Sequence, residues 1–185
     1  MYSPAFMPAP LPRLDRSIVL VGLMGVGKST VGKRLAKRLG LDFVDSDEEI
    51  ESAAGCTITE IFDRFGEQSF RDGERRVIAR LVAGPPKVIA TGGGAFVNDE
   101  TRRLILDNCL AIWLDADIAT LAERVGRRDS RPLLRDRDPQ VVLAELAAIR
   151  NPLYAEAHIH VRSHSAPHER TVDDIADALS RWASE

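Results

Sequence analysis

The segment Gly22–Ser29, with the sequence GLMGVGKS, constrains this chain more than any other stretch. It matches the pattern G-x-x-x-x-G-K-[ST], in which glycines let the backbone wrap closely around phosphate oxygens. The backbone N–H groups of such a loop form an anion-binding nest at a helix N-terminus, where the helix dipole also favours negative charge. The pattern therefore predicts a phosphate-binding loop between a buried strand and a helix.

The residue types in this loop each have a chemical reason. The ammonium group of Lys28 reaches the β- and γ-phosphates, and the hydroxyl of Ser29 is a hard oxygen ligand for Mg²⁺. The residues that we expect to contact the nucleotide here are Gly25, Val26, Gly27, Lys28, Ser29 and Thr30. The bland alternative is a glycine-rich turn with an incidental lysine, and the flanking strand and helix patterns weigh against it. The loop alone indicates binding of a nucleoside triphosphate and does not distinguish a kinase from a switch or a motor.

Short apolar runs alternate with helical patterns along the rest of the chain. The runs that we interpret as strands are 17–21, 41–44, 87–90, 110–114 and 158–161. Alternation of this kind predicts an α/β fold of the P-loop NTPase type, a three-layer sandwich with a central five-stranded parallel sheet and helices on both faces. We expect one domain over 17–185, preceded by a disordered, proline-rich tail over 1–16.

The composition makes several function classes improbable. A net charge of −3 gives no reason to expect a nucleic-acid or anionic-membrane partner. The sequence contains no run of roughly 18 apolar residues, so no transmembrane helix is predicted. Prolines interrupt any apolar signal sequence near the N-terminus. The two cysteines, Cys56 and Cys109, are far apart and favour free thiols in a reducing compartment. We therefore expect a cytoplasmic protein, and we expect a monomer.

Two carboxylates, Asp45 and Asp47, stand at the end of the second predicted strand. Ligands bind at this edge of an open parallel sheet, and residues i and i+2 of an extended segment point the same way. One carboxylate can hold Mg²⁺, directly or through water, and the other can act as general base toward a substrate hydroxyl. The alternative is that they serve only to cap the helix predicted near Glu48, a role open to Asp47.

Three consecutive glycines, Gly92, Gly93 and Gly94, follow the third predicted strand at the same edge. A backbone without Cβ atoms can approach a ligand closely and offer N–H donors to it. A simple strand-to-helix turn would need one glycine, so three favour a close contact.

Taken in order, the motifs from Ser17 to about Tyr154 resemble those of the shikimate kinase family. The matching pieces are GLMGVGKST, FVDSD, I-x-x-I-F-x-x-x-G-E-x-x-F-R over Ile58–Arg71, TGGG, Arg131-Pro-Leu-Leu134 and Arg150-Asn-Pro-Leu-Tyr154. Apart from the phosphate loop, each piece alone is weak evidence for the family. Together, in this order and with this spacing, the pieces are strong evidence. The resemblance implies an enzyme that uses ATP and Mg²⁺ to phosphorylate the 3-hydroxyl of shikimate, a step of aromatic amino-acid synthesis.

The resemblance also implies roles for individual residues. Arg71 and Arg150 match arginines that clamp the substrate carboxylate, which suits the planar fork of a guanidinium. Asp47 matches the residue that binds a ring hydroxyl and is the expected base, and Asp45 with Ser29 matches the Mg²⁺ site. The remaining positions match substrate contacts at Gly92, Gly93 and Gly94, the lining of the substrate ring at Phe62, Phe70 and Pro132, a lid arginine over the phosphates at Arg131, and a side chain near the adenine at Arg124.

The arginine-rich segment 126–137 is interpreted as a mobile lid, since it has no apolar period. Each arginine has a bland alternative: Arg71 could pair with Glu67 one turn earlier, Arg150 could favour a helix C-terminus, and Arg131 could be a solvated loop charge. The ordered match favours the functional interpretation for these three. Catalysis would rest on Lys28, Asp47 and Arg131.

The departures from the family pattern lie near the C-terminus. The adenine-contacting loop is not recognisable in 162–170, so no adenine contact is assigned there. All four histidines also fall between His158 and His168. Because no cysteine or carboxylate cluster accompanies them, we expect no metal site formed by these histidines. Other functions that remain open are a gluconate kinase or another small-metabolite P-loop kinase, and a non-catalytic ATP-binding regulatory module.

Overall fold

The computed structural model describes residues 14–127, 134–164 and 167–184. Its strands are β1 Ile18–Val21, β2 Asp42–Asp45, β3 Lys87–Ala90, β4 Leu110–Asp115 and β5 Ile159–Arg162. Its helices are α1 Lys28–Leu39, α2 Ser46–Ala54, α3 Ile58–Ala83, α4 Asp99–Asn108, α5 Ile118–Gly126, α6 Pro139–Tyr154 and α7 His168–Trp182, with a short 3₁₀ turn over Ala95–Val97.

The strands form one parallel sheet in the order β2-β3-β1-β4-β5. The chain moves toward one edge from β1 to β2, and toward the other edge in every later connection. Right-handed crossovers therefore place α1 on the opposite face from the later connecting helices, in agreement with the packing of α1 against α7 and of α3 against α4. The predicted five-stranded parallel sheet and the α/β fold class are confirmed.

The sheet is the core of the molecule because its central strands are apolar on both faces. All four residues of β1 are buried, and so are Leu110–Leu114 of β4. Burial on both faces explains why these strands have continuous apolar runs and no polar alternation. The edge strand β5 alternates buried and exposed residues, as expected of a strand with one solvated face.

Local capping signals set the starts of several helices. Thr57 and Glu60 form the predicted capping box at the head of α3, and Asn98 and Asp138 cap α4 and α6. The cap before α2 differs from the alternative considered for Asp47. Helix α2 begins at Ser46, and Asp45 is the cap because its Oδ1 accepts a hydrogen bond from the Asp47 N–H at 2.9 Å.

The helix ends depart from the sequence patterns where tertiary packing extends them. Helix α6 continues past Arg150 and through Pro152 to Tyr154, whose buried ring anchors the last turn. Helix α3 joins the two predicted helical segments across a kink at Gly66, which has a left-handed φ of 82°. Helix α7 begins at His168, directly after Pro167.

The predicted N-terminal tail lies mostly outside the described residues. Of its last three residues, Leu14 packs against the core and the Arg16 guanidinium lies 6.0 Å from the Trp182 ring centroid. In the described parts of the chain, no helix combines the length and the hydrophobicity needed to cross a membrane.

Candidate active site

The strand order brings three loops to one edge of the sheet. The phosphate loop follows β1, the triglycine segment follows β3, and Asp45 ends β2. Strand β3 pairs with both of the others, with Ala90 aligned to Leu20 on one side and to Asp45 on the other. The connections from β1 and β3 leave in opposite directions, which creates the crevice where open α/β sheets bind ligands.

The phosphate loop has the backbone that its glycines predict. Gly25 and Gly27 have φ values of 81° and 99°, which side-chain-bearing residues rarely adopt. A Cβ added at Gly25 would also lie 2.9 Å from Val125 Cγ1. Gly27 caps α1 without using a side chain, which leaves the first N–H groups of that helix to serve an anion.

The side chains of the loop are held from behind by the domain. Lys28 is buried and its Nζ donates to the carbonyl oxygens of Gly22 at 2.7 Å and Leu23 at 3.0 Å. Val26 is buried in the core, and its carbonyl accepts hydrogen bonds from Ser163 at 3.0 Å and Arg124 at 3.2 Å. These contacts with the rest of the domain hold the loop in its curved conformation.

Hard oxygen atoms converge beside the loop. Ser29 Oγ donates to Asp45 Oδ2 at 2.5 Å, and the other oxygen of Asp45 is engaged by the cap of α2. In the described part of the chain no group of three or more histidine, cysteine, aspartate or glutamate side chains could form an all-protein metal cage. A hydroxyl beside one carboxylate is the donor set that suits Mg²⁺, which usually keeps waters and takes its other ligands from phosphates. The predicted metal residues therefore fit that ion.

Two cavities open from this point. One, of about 390 Å³, lies over the phosphate loop and is bounded on its far side by Arg124, Arg127 and His168. The other, of about 820 Å³, extends toward α2 and α3. The residues that line both cavities are Ser29, Thr30, Asp45, Asp47, Gly92 and Gly93. The predicted metal ligands and the predicted base therefore stand between two adjoining chambers.

The predicted substrate residues line the larger chamber together. They are Asp47, Phe62, Phe70, Arg71, Gly92, Gly93, Gly94 and Arg150. The aromatic pair forms an apolar wall, with ring centroids 4.8 Å apart. The Arg71 guanidinium carbon lies over the Phe70 ring, 5.1 Å from its centroid, which places the charged group beside that wall.

The triglycine segment makes room for the charged side chains of the site. A Cβ at Gly94 would lie 2.4 Å from Arg71 Nη1, and one at Gly93 would lie 3.1 Å from Arg150 Nη1. One at Gly92 would lie 2.8 Å from Asp47 Oδ1. Each glycine thus passes a different functional side chain, which gives a structural reason for three of them.

Glu74 belongs to the site although sequence patterns did not indicate it. Its side chain is 4% exposed, and its Oε2 accepts from Arg71 Nη1 at 2.8 Å. Burial raises the pKa of Glu74, the charge of Asp47 raises it further, and Arg71 opposes both effects. The spacing of Arg71 and Glu74 by three residues is the signal that could have identified the pair.

Arg124 and His168 border the smaller chamber. Arg124 donates to the carbonyls of Gly25 at 3.1 Å and His164 at 2.8 Å, which ties the phosphate loop to the C-terminal segment. The ring of His168 approaches the loop, since a Cβ at Gly27 would lie 3.5 Å from its Cε1. Burial, together with the charges of Arg124 and Arg34, lowers the pKa of His168. His168 was not predicted as a site residue because no local pattern marks it.

The other histidines make contacts outside these chambers. His158 Nδ1 accepts a hydrogen bond from the Ala111 N–H at 3.0 Å. His160 stacks on Trp113 with ring centroids 4.1 Å apart. Arg131, Pro132 and half of the predicted lid lie outside the described residues. Of the lid's C-terminal end, Arg135 Nη1 lies 3.4 Å from Asp63 of α3.

The chain is similar to known proteins in sequence and in structure. The family model described as shikimate kinase matches residues 24–180. A shikimate kinase of Caulobacter vibrioides is 59% identical over 168 residues, covering 91% of this chain and 84% of the relative. A shikimate kinase of Zymomonas mobilis is 57% identical over 173 residues, covering 94% of this chain and 98% of the relative.

The solved structures agree with the sequence comparison. Shikimate kinase from Acinetobacter baumannii, in complex with shikimate, superposes with a TM-score of 0.87 at 36% identity, covering 90% of this chain and 93% of that one. A gluconokinase from Sinorhizobium meliloti reaches a TM-score of 0.62 at 23% identity, covering 94% of this chain and 96% of that one, which shows a shared fold alone. The resemblance seen in the motifs is confirmed, and this chain belongs to the shikimate kinase family.

Proposed function

We propose that this chain transfers the γ-phosphate of ATP to the 3-hydroxyl of shikimate, giving shikimate 3-phosphate and ADP. The observation that carries the proposal is one chamber that holds Arg71, Arg150 and Asp47 and adjoins the phosphate loop. A chamber with two arginines, a carboxylate and an aromatic wall is complementary to a small cyclic acid with ring hydroxyls. The product would serve the synthesis of chorismate and aromatic amino acids.

The substrate carboxylate would be bound by Arg71 and Arg150. Both are largely shielded from water, so a charge-assisted hydrogen bond to either is stronger than on an open surface. Glu74 neutralises part of this cationic charge through its ion pair with Arg71. Phe62 and Phe70 would contact the apolar side of the ring, and Pro132 is proposed as a further contact from outside the described residues.

Asp47 would accept the proton of the attacking hydroxyl. It lines both chambers, so a hydroxyl held beside it also faces the phosphate loop. Transfer of a phosphoryl group needs alignment and charge neutralisation more than covalent chemistry from the protein. The geometry of a hydroxyl between base and phosphate meets the first of these needs.

Charge neutralisation would come from the nucleotide chamber. Lys28 and Arg131 would oppose the negative charge that spreads over the γ-phosphoryl oxygens, and loop N–H groups would bind the phosphates. Ser29 and Asp45 would hold Mg²⁺, which supplies further positive charge at the β- and γ-phosphates when bound. Arg124 would lie near the adenine, and closure of the lid over 126–137 would exclude water as a competing acceptor.

A gluconate kinase is the second candidate, because gluconate is also an anionic polyol. The identity to curated shikimate kinases favours the first candidate, since the gluconokinase match carries the fold alone. A non-catalytic ATP-binding module would tolerate loss of the base and the arginine clamp, yet Asp47, Arg71 and Arg150 share one chamber. We further propose a cytoplasmic monomer without nucleic-acid or membrane partners, to be checked by sedimentation and by cell fractionation.

A coupled assay of ADP release with Mg-ATP tests the function directly. The acceptors to compare are shikimate, gluconate and none. We expect strong turnover with shikimate alone. Turnover with gluconate alone would keep the kinase and discard the substrate, and ATP binding without acceptor-dependent turnover would favour the regulatory module.

A further inference from the structure

Tyr154 is a fully buried tyrosine with no role in the reaction as described so far. It ends α6 and has 0% of its surface exposed. Its ring packs between Phe96 and Trp113, with centroid distances of 6.4 and 6.0 Å. This packing accounts for the ring and leaves the hydroxyl to be explained, since a phenylalanine would fill the same space.

The hydroxyl of Tyr154 reaches the substrate chamber. It donates to the carbonyl oxygen of Gly93, which lies 61 positions earlier in the chain. The Arg150 side chain lies within hydrogen-bonding reach of it, four residues earlier on the same face of α6. Arg150 Nη1 also lies close to Gly93, since a Cβ added at Gly93 would be 3.1 Å from it, so the three groups form one cluster.

The direction of each hydrogen bond in this cluster is fixed by chemistry. Burial raises the pKa of Tyr154 to about 12, so the phenol keeps its proton at physiological pH. That single proton is donated to the Gly93 carbonyl, because a carbonyl can only accept. A guanidinium has no acceptor, so Arg150 donates to the phenol oxygen.

We propose that the Tyr154 hydroxyl is a positioning residue for the substrate carboxylate. It accepts one N–H of Arg150 and so fixes the plane of the guanidinium. The remaining N–H donors of Arg150 then point in directions set by that plane. It also fixes the Gly93 carbonyl, and peptide planarity then sets the direction of the Gly94 N–H beside Arg71. A carboxylate entering the chamber would meet donors that are already oriented, which lowers the ordering cost of binding.

The test is Tyr154→Phe, which removes the hydroxyl and keeps the ring between Phe96 and Trp113. This inference rests on the proposed function, so the wild-type chain is first assayed for shikimate-dependent ADP release. For the variant we expect the KM and the calorimetric Kd of shikimate to rise about tenfold, in line with loss of one hydrogen bond to a charged group. The KM of ATP should stay within about twofold, because neither the Tyr154 hydroxyl nor Arg150 lines the nucleotide chamber.

Ser17→Ala is a matched control. Ser17 is also buried, and its hydroxyl accepts a hydrogen bond from the Lys87 N–H at 3.2 Å. This contact lies at the N-terminal ends of β1 and β3, whereas the site lies at their C-terminal ends. Ser17→Ala should lower the melting temperature without changing the KM of shikimate. In an Arg150→Ala background, Tyr154→Phe should raise the KM by clearly less than the tenfold expected in the wild-type background, since part of its effect is transmitted through Arg150.

A second readout does not depend on the stability of the variant. The chain has two tyrosines, so incorporation of 3-fluorotyrosine gives two ¹⁹F signals, and Tyr2→Phe assigns them. The Tyr154 signal should shift on addition of shikimate and stay in place with the nucleotide alone. An unchanged KM in Tyr154→Phe, or a ¹⁹F signal that ignores shikimate, would overturn the role of Tyr154 only. No shikimate-dependent turnover by the wild-type chain would overturn the proposed function and this role with it.

Discussion

At the scale of single residues, the site is organised by charged side chains that lie close to one another. Arg71 lies 2.8 Å from Glu74 and 3.6 Å from Glu67, and Glu74 also faces Asp47. The buried Glu74 would be costly without Arg71, because an unpaired buried carboxylate loses its hydration. Arg71 and Glu74 therefore balance each other's charge within the chamber, and a bound carboxylate would compete with Glu74 for Arg71.

Arg71→Ala should weaken substrate binding more than turnover. Loss of a charge-assisted hydrogen bond corresponds to an increase of about 10- to 100-fold in the Kd of shikimate. Isothermal titration with shikimate measures it directly. Arg75→Ala is the control, because Arg75 lies one turn later on α3 and pairs with Asp72 and Glu100 outside the chamber. Equal affinity of the wild-type and Arg71→Ala chains would remove Arg71 from the carboxylate clamp.

Gly94→Ala should damage the site by contact alone. Gly94 has φ −91° and ψ −10°, which alanine adopts freely, but the new Cβ would lie 2.4 Å from the Arg71 guanidinium. We expect the KM of shikimate to rise at least tenfold, because the Arg71 guanidinium must shift far enough to misalign its hydrogen bonds with the substrate. Gly73→Ala in α3, where nothing lies within 4 Å, should leave the KM unchanged. A normal KM for Gly94→Ala would show that Arg71 tolerates displacement.

At the scale of elements, tertiary contacts decide where helices and strands end. Helix α6 passes Pro152, although proline lacks an N–H for the helical ladder, because Tyr154 is anchored beyond it. Helix α3 bends at Gly66, so the segment that carries Phe62 and the segment that carries Arg71 approach one chamber from different directions. His158 lies just before β5 and links this strand to β4, because its Nδ1 accepts a hydrogen bond from the Ala111 N–H.

His158 should make stability depend on pH. Burial, and to a smaller extent Arg16, lowers the pKa of His158 below its ordinary value of 6.5. The unfolded chain therefore binds this proton more readily, so the free energy of unfolding falls as pH drops below about 6.5 and levels off below the folded-state pKa. His158→Asn keeps an acceptor near Nδ1 without titrating. Urea unfolding between pH 5 and 8 should show a shallower loss for the variant, and parallel curves would contradict the assignment.

At the scale of the whole molecule, the fold places two chambers on either side of Asp47. The nucleotide chamber is built on β1, α1 and the C-terminal segment, and the substrate chamber on α2, α3 and α6. The ion pair between Arg135 and Asp63 connects the C-terminal end of the predicted lid with α3. Both substrates are therefore enclosed by elements that are distant in sequence.

Arg131→Ala should lower kcat with little change in the Kd of shikimate. The arginine is proposed to oppose charge that develops on the transferred phosphoryl group, so its loss is felt in the transition state. We expect a decrease in kcat of about 100-fold or more, measured by coupled ADP release at saturating substrates. Arg137→Ala is the control, since Arg137 pairs with Glu145 at 2.9 Å on the surface. A normal kcat for Arg131→Ala would place Arg131 outside the transition state.

The sequence by itself determined the features that depend on local chemistry. The phosphate loop, the pair Asp45 and Asp47, and the triglycine segment were recognisable because backbone conformation and ligand type restrict which residues can occupy them. The alternation of apolar runs and helical patterns was sufficient for the parallel sheet, since burial on both faces leaves a continuous apolar signature. The ordered motifs then identified the family.

Only the tertiary structure decided which side chains meet. Neither the contact of Tyr154 with Gly93 nor the approach of His168 to Gly27 leaves a local pattern, because packing brings together residues far apart in the chain. The burial of Glu74 and the choice of Asp45 over Asp47 as the cap of α2 also depend on neighbours in space. Spacing along a chain limits local geometry, whereas charge balance and donor direction in a site arise from the surroundings that the whole fold supplies.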